Sequence, residues 1–205
     1  MQGHLLGSSE LNKYTAGREA VSVLNYGKLI LSEMKSVMDM ISEKDLETVS
    51  RSVVCARRVL VVGVGRVLIS LKSWVKRWKH LGIDANYVGS ETEGPIGPGD
   101  LLIVASASGE SIFPVQIAKL AKKFGAKVIY IGSNPKSTCG CTADYAMRVP
   151  CRTKLGLPGE FHSQQPMSTL FEQVLFVLGD VLAYSIMSKK HLDEKTVSVN
   201  HANLE

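Results

Sequence analysis

The sequence predicts a three-layer α/β sandwich, with helices on both faces of a parallel sheet. Three observations predict it. Short β-branched apolar runs recur without alternation, the pattern of strands covered on both faces. Stretches of helical period separate them, and strand alternating with helix places the strands parallel. The 205 residues suit one domain of ordinary composition, 45% hydrophobic and 21% charged, which excludes a disordered chain or a fibre.

In chain order, residues 1–24 carry Gly3, Gly7, Ser8, Ser9 and Gly17 with little sustained period and are expected to form an N-terminal arm. From Ile30, apolar Ile30, Met34, Val37 and Ile41 recur at helical spacing, and Ser42 with Asp45 reads as a capping box opening a second helix on Leu46, Val49 and Val53. Strands are predicted at Val59–Val62, Ala85–Val88, Leu101–Ala105, Lys127–Ile131 and Ala146–Val149. Between them, Leu68, Leu71, Val75 and Trp78 form one helical face, and Ile117, Leu120, Ala121 and Phe124 another, closed by Gly125. A Pro- and Gly-containing loop from Cys151 to Met167 precedes a long helix from Thr169 that buries Leu170, Val174, Leu178 and Leu182.

A net charge of +5 and an isoelectric point near 9.0 draw anions without forming a basic tail. No helix-turn-helix, RNA-binding aromatic signature or zinc-finger spacing accompanies the charge, which argues against nucleic acid. No apolar run approaches the roughly 18 residues of a membrane span and no secretory leader is apparent, so a cytoplasmic chain without membrane contact is expected. Its four cysteines, Cys55, Cys139, Cys141 and Cys151, lack paired metal-ligand spacing and are expected to be reduced thiols.

Ligands of open α/β sheets bind beyond the carboxyl ends of the strands, so two loops matter most. The first, Gly63-Val64-Gly65-Arg66-Val67-Leu68, allows close backbone approach, but Leu68 replaces the last glycine of a dinucleotide fingerprint even though Asp84 falls near the usual acidic position. NAD is not expected. The second is Ser106-Ala107-Ser108-Gly109-Glu110-Ser111. Its hydroxyls, a glycine and a helix start can surround a phosphate. They can also simply cap the helix, although one serine suffices for that.

These loops, with Lys79-His80-Leu81-Gly82, Gln165-Pro166-Met167-Ser168-Thr169-Leu170-Phe171-Glu172 and the ending His201-Ala202-Asn203-Leu204-Glu205, resemble the sugar isomerase (SIS) domain family and, within it, the 6-phospho-3-hexuloisomerases. The resemblance covers about Ile30 to Glu205. It divides the chain into an arm, 1–24, and an SIS domain, 25–205. It implies a five-stranded, flavodoxin-like parallel sheet, a homotetramer, no metal or organic cofactor, and interconversion of 3-hexulose 6-phosphate with fructose 6-phosphate. By resemblance, Ser106 to Ser111 (Ser106, Ala107, Ser108, Gly109, Glu110, Ser111) hold the phosphate together with Gly65, Arg66 and Val67, and Glu172 matches the proton acceptor. The chemistry is coherent with this: moving a carbonyl to the next carbon needs a base, an acid and charge stabilisation of an enediolate. His201 or His80 can shuttle protons, and Arg66 or Arg77 can stabilise an oxyanion or the phosphate.

Each assignment has an ordinary alternative. Thr169 to Glu172 is itself a capping-box pattern. His80 suits a helix C-terminus, and His201, near a chain end, needs a docked tail or a neighbouring subunit to reach any site. Lys72, Lys76, Arg77 and Lys79 suit a solvated helix face, while Trp74 and Trp78 suit the core or a subunit contact. The chain also departs from the family pattern. Val67 and Leu68 replace Ser-Gly, Ser111 replaces a threonine, Ala107 a glycine, and Glu91 and Glu93 add negative charge to a loop that is usually Gly-Glu-Thr-Thr-Thr-Pro. Those departures leave open a phosphosugar-binding sensor without turnover.

Overall fold

The computed structural model describes residues 22–204. In order the elements are α1 (Val23–Met38), α2 (Glu43–Cys55), β1 (Val59–Val62), α3 (Arg66–His80), β2 (Ala85–Tyr87), β3 (Leu101–Ala105), α4 (Ile112–Lys123), β4 (Lys127–Gly132), α5 (Thr138–Thr142), β5 (Tyr145–Arg148), α6 (Thr169–Lys189) and α7 (Glu194–Val199). The five strands form one parallel sheet in the order β2-β1-β3-β4-β5. The expected three-layer architecture is therefore the observed one.

Both faces of the sheet are buried. On β1, Val59 and Val61 face a core shared with α2, α3 and α6, whereas Leu60 and Val62 face Val115, Ala118 and Ala121 of α4 and Cys139 of α5. That two-sided burial is why the strands read as unbroken apolar runs. Trp74 and Trp78 are fully buried on α3, with ring centroids 5.3 Å apart, and Trp74 Nε1 donates to the Leu175 carbonyl of α6 at 2.8 Å. Both indoles are core.

Several expectations change in three dimensions. The proposed arm lies outside the described residues except for its last three, and there Ser22 already caps α1, so the boundary at residue 24 cuts into a helix. Ser42 Oγ accepts from the Asp45 amide, but the Asp45 carboxylate takes the Tyr145 hydroxyl at 2.7 Å instead of closing a reciprocal box. The buried stripe of α4 is Pro114, Val115, Ala118 and Ala121, leaving Leu120 and Phe124 exposed. Small side chains allow the closer approach to the sheet, and period alone does not select between two overlapping stripes. Helices α5 and α7 are too short to carry a legible period. The 21-residue α6 is long and apolar enough to cross a membrane, which the sequence reading missed; half of its apolar window is buried, and it packs on α3, α2 and α1 as the central helix of one layer. All four cysteines are free, Cys139 and Cys151 buried.

Candidate active site

The strand order decides where the site falls. The chain leaves β1 toward β2 on one side and then returns to place β3 on the other, so the loops after β1 and β3 splay apart at the carboxyl end of adjacent strands. They open a cavity of about 1290 Å³, floored by Gly65, Arg66 and Val67 and by the serine loop, and walled by the segment after β5.

The serine loop is built rigidly. Ser106 is buried; its Oγ accepts from the Gly109 amide at 3.1 Å and lies 3.3 Å from Ser111 Oγ. Ser108 Oγ accepts from the Glu110 amide. Ser111 occupies the N-cap of α4, yet its side chain makes no cap bond. The capping alternative therefore does not account for Ser111, whose hydroxyl meets Ser106 Oγ at a helix start, where the first-turn amides have no intrahelical acceptor. The loop is braced from behind: Tyr130 Oη donates to the Ser106 carbonyl at 2.8 Å, and the Glu110 carboxylate accepts from the Thr138 amide and hydroxyl. Gly109 has φ 71°, and a Cβ there would sit 1.9 Å from Ser137 Oγ, so glycine is required at this turn. Gly109 and Glu110 thus shape the loop; Glu110 spends its charge on α5, with Thr138 holding its carboxyl below the usual range.

Opposite stands Glu172, in the first turn of α6. Its Oε1 accepts from Ser168 Oγ at 3.0 Å, and its Oε2 lies 2.7 Å from Arg66 Nε, an ion-pair contact poorly aligned as a hydrogen bond. Ser70 Oγ of α3 donates to the Glu172 carbonyl at 2.8 Å and fixes the backbone. Ser168 rather than Thr169 is the N-cap, so Glu172 falls one residue past the reciprocal capping position and the capping-box alternative is not realised. Glu172 lines the cavity that Arg66, Val67, Ser106, Ser108 and Ser111 also line, its carboxylate held by Ser168 and Arg66.

Three expected site residues do not join this group. Arg77 lies near the far end of α3 and points to Asp180 of α6, 3.9 Å away. His80 ends α3, about 20 Å from Arg66 along a helix rising about 1.5 Å per residue. His201 reaches His80, with ring centroids 5.1 Å apart, because α7 docks at that end, where Asn200 Nδ2 donates to the His80 carbonyl. Within one protomer these residues belong to the amino-end pole of the sheet. Asp84 also lies there, before β2 and paired with Arg58, where it cannot meet a ribose at the carboxyl end. The acidic loop with Glu91 and Glu93 does not line the cavity; Glu93 Oε2 accepts from the Gly89 amide. Val67, 7% exposed, does line it, as an apolar patch.

Sequence reasoning missed the other wall. Arg152, Lys154, His162 and Gln164 line the cavity from the segment between β5 and α6. A cluster of two cations and a histidine inside a Pro- and Gly-containing connector was the available signal. Glu160 organises the first part of this wall through the Thr153 amide and hydroxyl and the Leu157 amide. Glu33 of α1, only 4% exposed, organises the second: Ser163 Oγ, the Gln164 amide and Gln165 Nε2 donate to its carboxylate at 2.6, 2.8 and 2.9 Å. Burial pushes the Glu33 carboxyl upward, but the three donors together outweigh it and hold the group below its ordinary 4.5. A depressed folded-state value stabilises the fold above the unfolded-state value and loses that stabilisation as pH falls through the folded-state value. The thermal stability lost in Glu33→Gln is therefore expected to be largest at neutral pH and to shrink progressively below about pH 4.5. Melting curves of both proteins from pH 7 to pH 3 measure it, and a gap that stays constant with pH contradicts it.

A doubly covered parallel sheet, with a hydroxyl-rich loop at its switch point and a carboxylate lining the same cavity, defines an α/β protein of the anion-binding, phosphate-loop class. The SIS domain family matches residues 67–133, which run from α3 through the serine loop to the end of β4. The chain belongs to the SIS-domain family, and its relatives there include 3-hexulose-6-phosphate isomerases. The Bacillus subtilis enzyme of that name is 34% identical over 176 residues, spanning 86% of this chain and 95% of the relative. The one from Mycobacterium gastri is 32% identical, spanning 89% and 92%. A solved Methanococcus jannaschii protein, described as inferred to be a 3-hexulose-6-phosphate isomerase, superposes with a TM-score of 0.76 at 23% identity over 88% of this chain and 99% of its own.

Proposed function

We propose that this protein is a sugar-phosphate isomerase that interconverts 3-hexulose 6-phosphate and fructose 6-phosphate through an enediolate. The observation that supports it most is that Glu172 and the serine loop line one cavity, with Arg66 Nε 2.7 Å from Glu172 Oε2. The loop holds the phosphate, which leaves the carbon chain extended toward Glu172. From fructose 6-phosphate, Glu172 takes the proton on C3, the electron pair forms the C2–C3 double bond, and negative charge develops on the C2 oxygen. Arg66 and the Ser168 hydroxyl stand beside the carboxylate that does this, and guanidinium donors meet the developing oxyanion. Return of the proton to C2, with proton exchange between the two oxygens, completes the transfer. His162 takes the shuttle role that His80 and His201 cannot fill within one protomer, since it lines the cavity and an imidazole can both donate and accept a proton.

No cofactor is required by this sequence of steps. The protein is read as cytoplasmic and as a homotetramer; the support for assembly is the exposed apolar set Ile69, Phe176, Val177 and Tyr184 on α3 and α6. A sensor without turnover loses one of its two motives, because the acidic loop stands away from the cavity.

Incubation with fructose 6-phosphate in deuterium oxide tests the reaction, and deuterium is expected at C3. Ser108→Ala and Ser111→Ala are each expected to weaken fructose 6-phosphate binding by about ten- to a hundredfold, the loss of one hydrogen bond to a charged group. Isothermal titration measures this, and unchanged affinity in both variants removes the serine loop from the phosphate site. Binding by wild type without C3 exchange would restore the sensor reading.

A further inference from the structure

We propose that Glu33, on a helix that precedes the sheet and lines no part of the cavity, is a positioning residue for the isomerisation: it fixes the segment 163–168 so that Ser168 presents its hydroxyl to Glu172. This rests on the isomerase reading above.

The geometry is a relay of short links. Glu33 takes donors from three consecutive residues of one loop, and Ser163 Oγ in turn accepts from the Gln165 amide at 3.0 Å. Glu33, Ser163 and Gln165 are all nearly inaccessible, so their bonds form without competing water. Beyond Gln165 the chain has no regular structure until α6. Pro166 has its φ fixed by its ring, and Met167 sits at φ 54°, a left-handed conformation that a side chain as large as methionine adopts only when its surroundings impose it. Met167 is itself 85% exposed and contributes no packing that would impose it. The restraint comes from the two ends. On one side is the Glu33 anchor; on the other, the Thr169 hydroxyl and amide donate back to the Pro166 carbonyl. Ser168 emerges from this restrained turn with its Oγ 3.0 Å from Glu172 Oε1.

The phosphate-binding loop is braced independently, by Tyr130, Ser137 and Thr138 on the opposite side of the sheet, and touches none of the Glu33 bonds. Disturbing Glu33 therefore separates turnover from phosphate grip. Glu33→Gln conserves shape but turns one acceptor oxygen into an NH2 group facing donors.

The experiment compares wild type, Glu33→Gln, Glu172→Gln and the double variant. Glu33→Gln is expected to lower kcat for fructose 6-phosphate about ten- to a hundredfold, the scale of a misplacement near 1 Å, and to leave the dissociation constant of inorganic phosphate within about twofold. Added to Glu172→Gln it is expected to cost little more, because its effect runs through Glu172. Amide hydrogen exchange in Glu33→Gln should quicken at Gln164 and also at Thr169 through Glu172. A kcat within twofold of wild type, full additivity in the double variant, or exchange that quickens only at Gln164 would each overturn the proposal. If wild type itself does not turn over fructose 6-phosphate, the isomerase reading falls, and the exchange data still decide whether Glu33 positions Glu172.

Discussion

Glu172→Gln is expected to slow isomerisation of fructose 6-phosphate by about 10²- to 10⁴-fold, the usual worth of a positioned general base. The amide keeps the volume of the side chain and one acceptor for Ser168 Oγ, now 3.0 Å from Glu172 Oε1, so the start of α6 stays in place. What disappears is a cavity-lining carboxylate beside the Arg66 guanidinium; among the described residues, the other two lining carboxylates are taken by structural donors, Glu110 by Thr138 and Glu160 by Thr153 and Leu157. Phosphate-ester affinity is expected to change by less than about threefold, because the phosphate is held by a loop that the substitution does not touch. Stopped reactions in deuterium oxide give the rate and titration calorimetry the affinity. Wild-type-like C3 exchange in Glu172→Gln would move the proton transfer to another residue, with His162 the next group to replace.

The largest effect on stability is expected at Gly179. This glycine lies in the middle of α6, where intrinsic propensity would favour alanine by up to about 1 kcal/mol. The tertiary structure reverses the sign. A Cβ at residue 179 would fall 2.1 Å from Trp74 Cδ1 and 2.2 Å from its Nε1, and the indole is fully buried with its N–H committed to the Leu175 carbonyl. Gly179→Ala must therefore part α3 from α6 or turn the indole and strand its N–H. Overpacking costs about 1–3 kcal/mol and an unsatisfied buried donor a further 1–3 kcal/mol. At about 2–4 °C per kcal/mol for a chain of this size, the midpoint should fall by roughly 4–24 °C. Calorimetry reads this directly, and an unchanged or raised midpoint would show that the helices move apart freely. Glu172 stands two turns upstream on the same helix, so loss of the α3–α6 contact should also reduce turnover.

The central strands β1 and β3 were legible because they are buried on both faces and so carry their signal in every residue; Leu101–Ala105 is bounded by the sequence as by the structure. The helices were less so. Leu120 and Phe124 share a plausible stripe, yet the sheet selects Val115, Ala118 and Ala121, since the choice depends on how near the opposing surface comes. At the site, the serine loop stood out by residue type and order, whereas Glu172 was singled out from a capping-box pattern only by the family resemblance. Within one protomer His80 and His201 lie together away from the serine loop; imidazole chemistry says nothing about which end of a helix faces the cavity. Arg152, Lys154 and His162 were missed because the connector that carries them has no period to mark it.

By itself the sequence determined the layered fold and the hydroxyl-rich loop, which follow from local pattern: burial on two faces, turn chemistry and a helix start. Only the tertiary structure decided which groups meet. The reversal of strand order between β2 and β3 brings two distant loops to one cavity, and Glu33 reaches across 130 residues to hold the loop that supports Glu172. Such contacts depend on where the sheet turns the chain in space, and separation along the sequence carries no record of it.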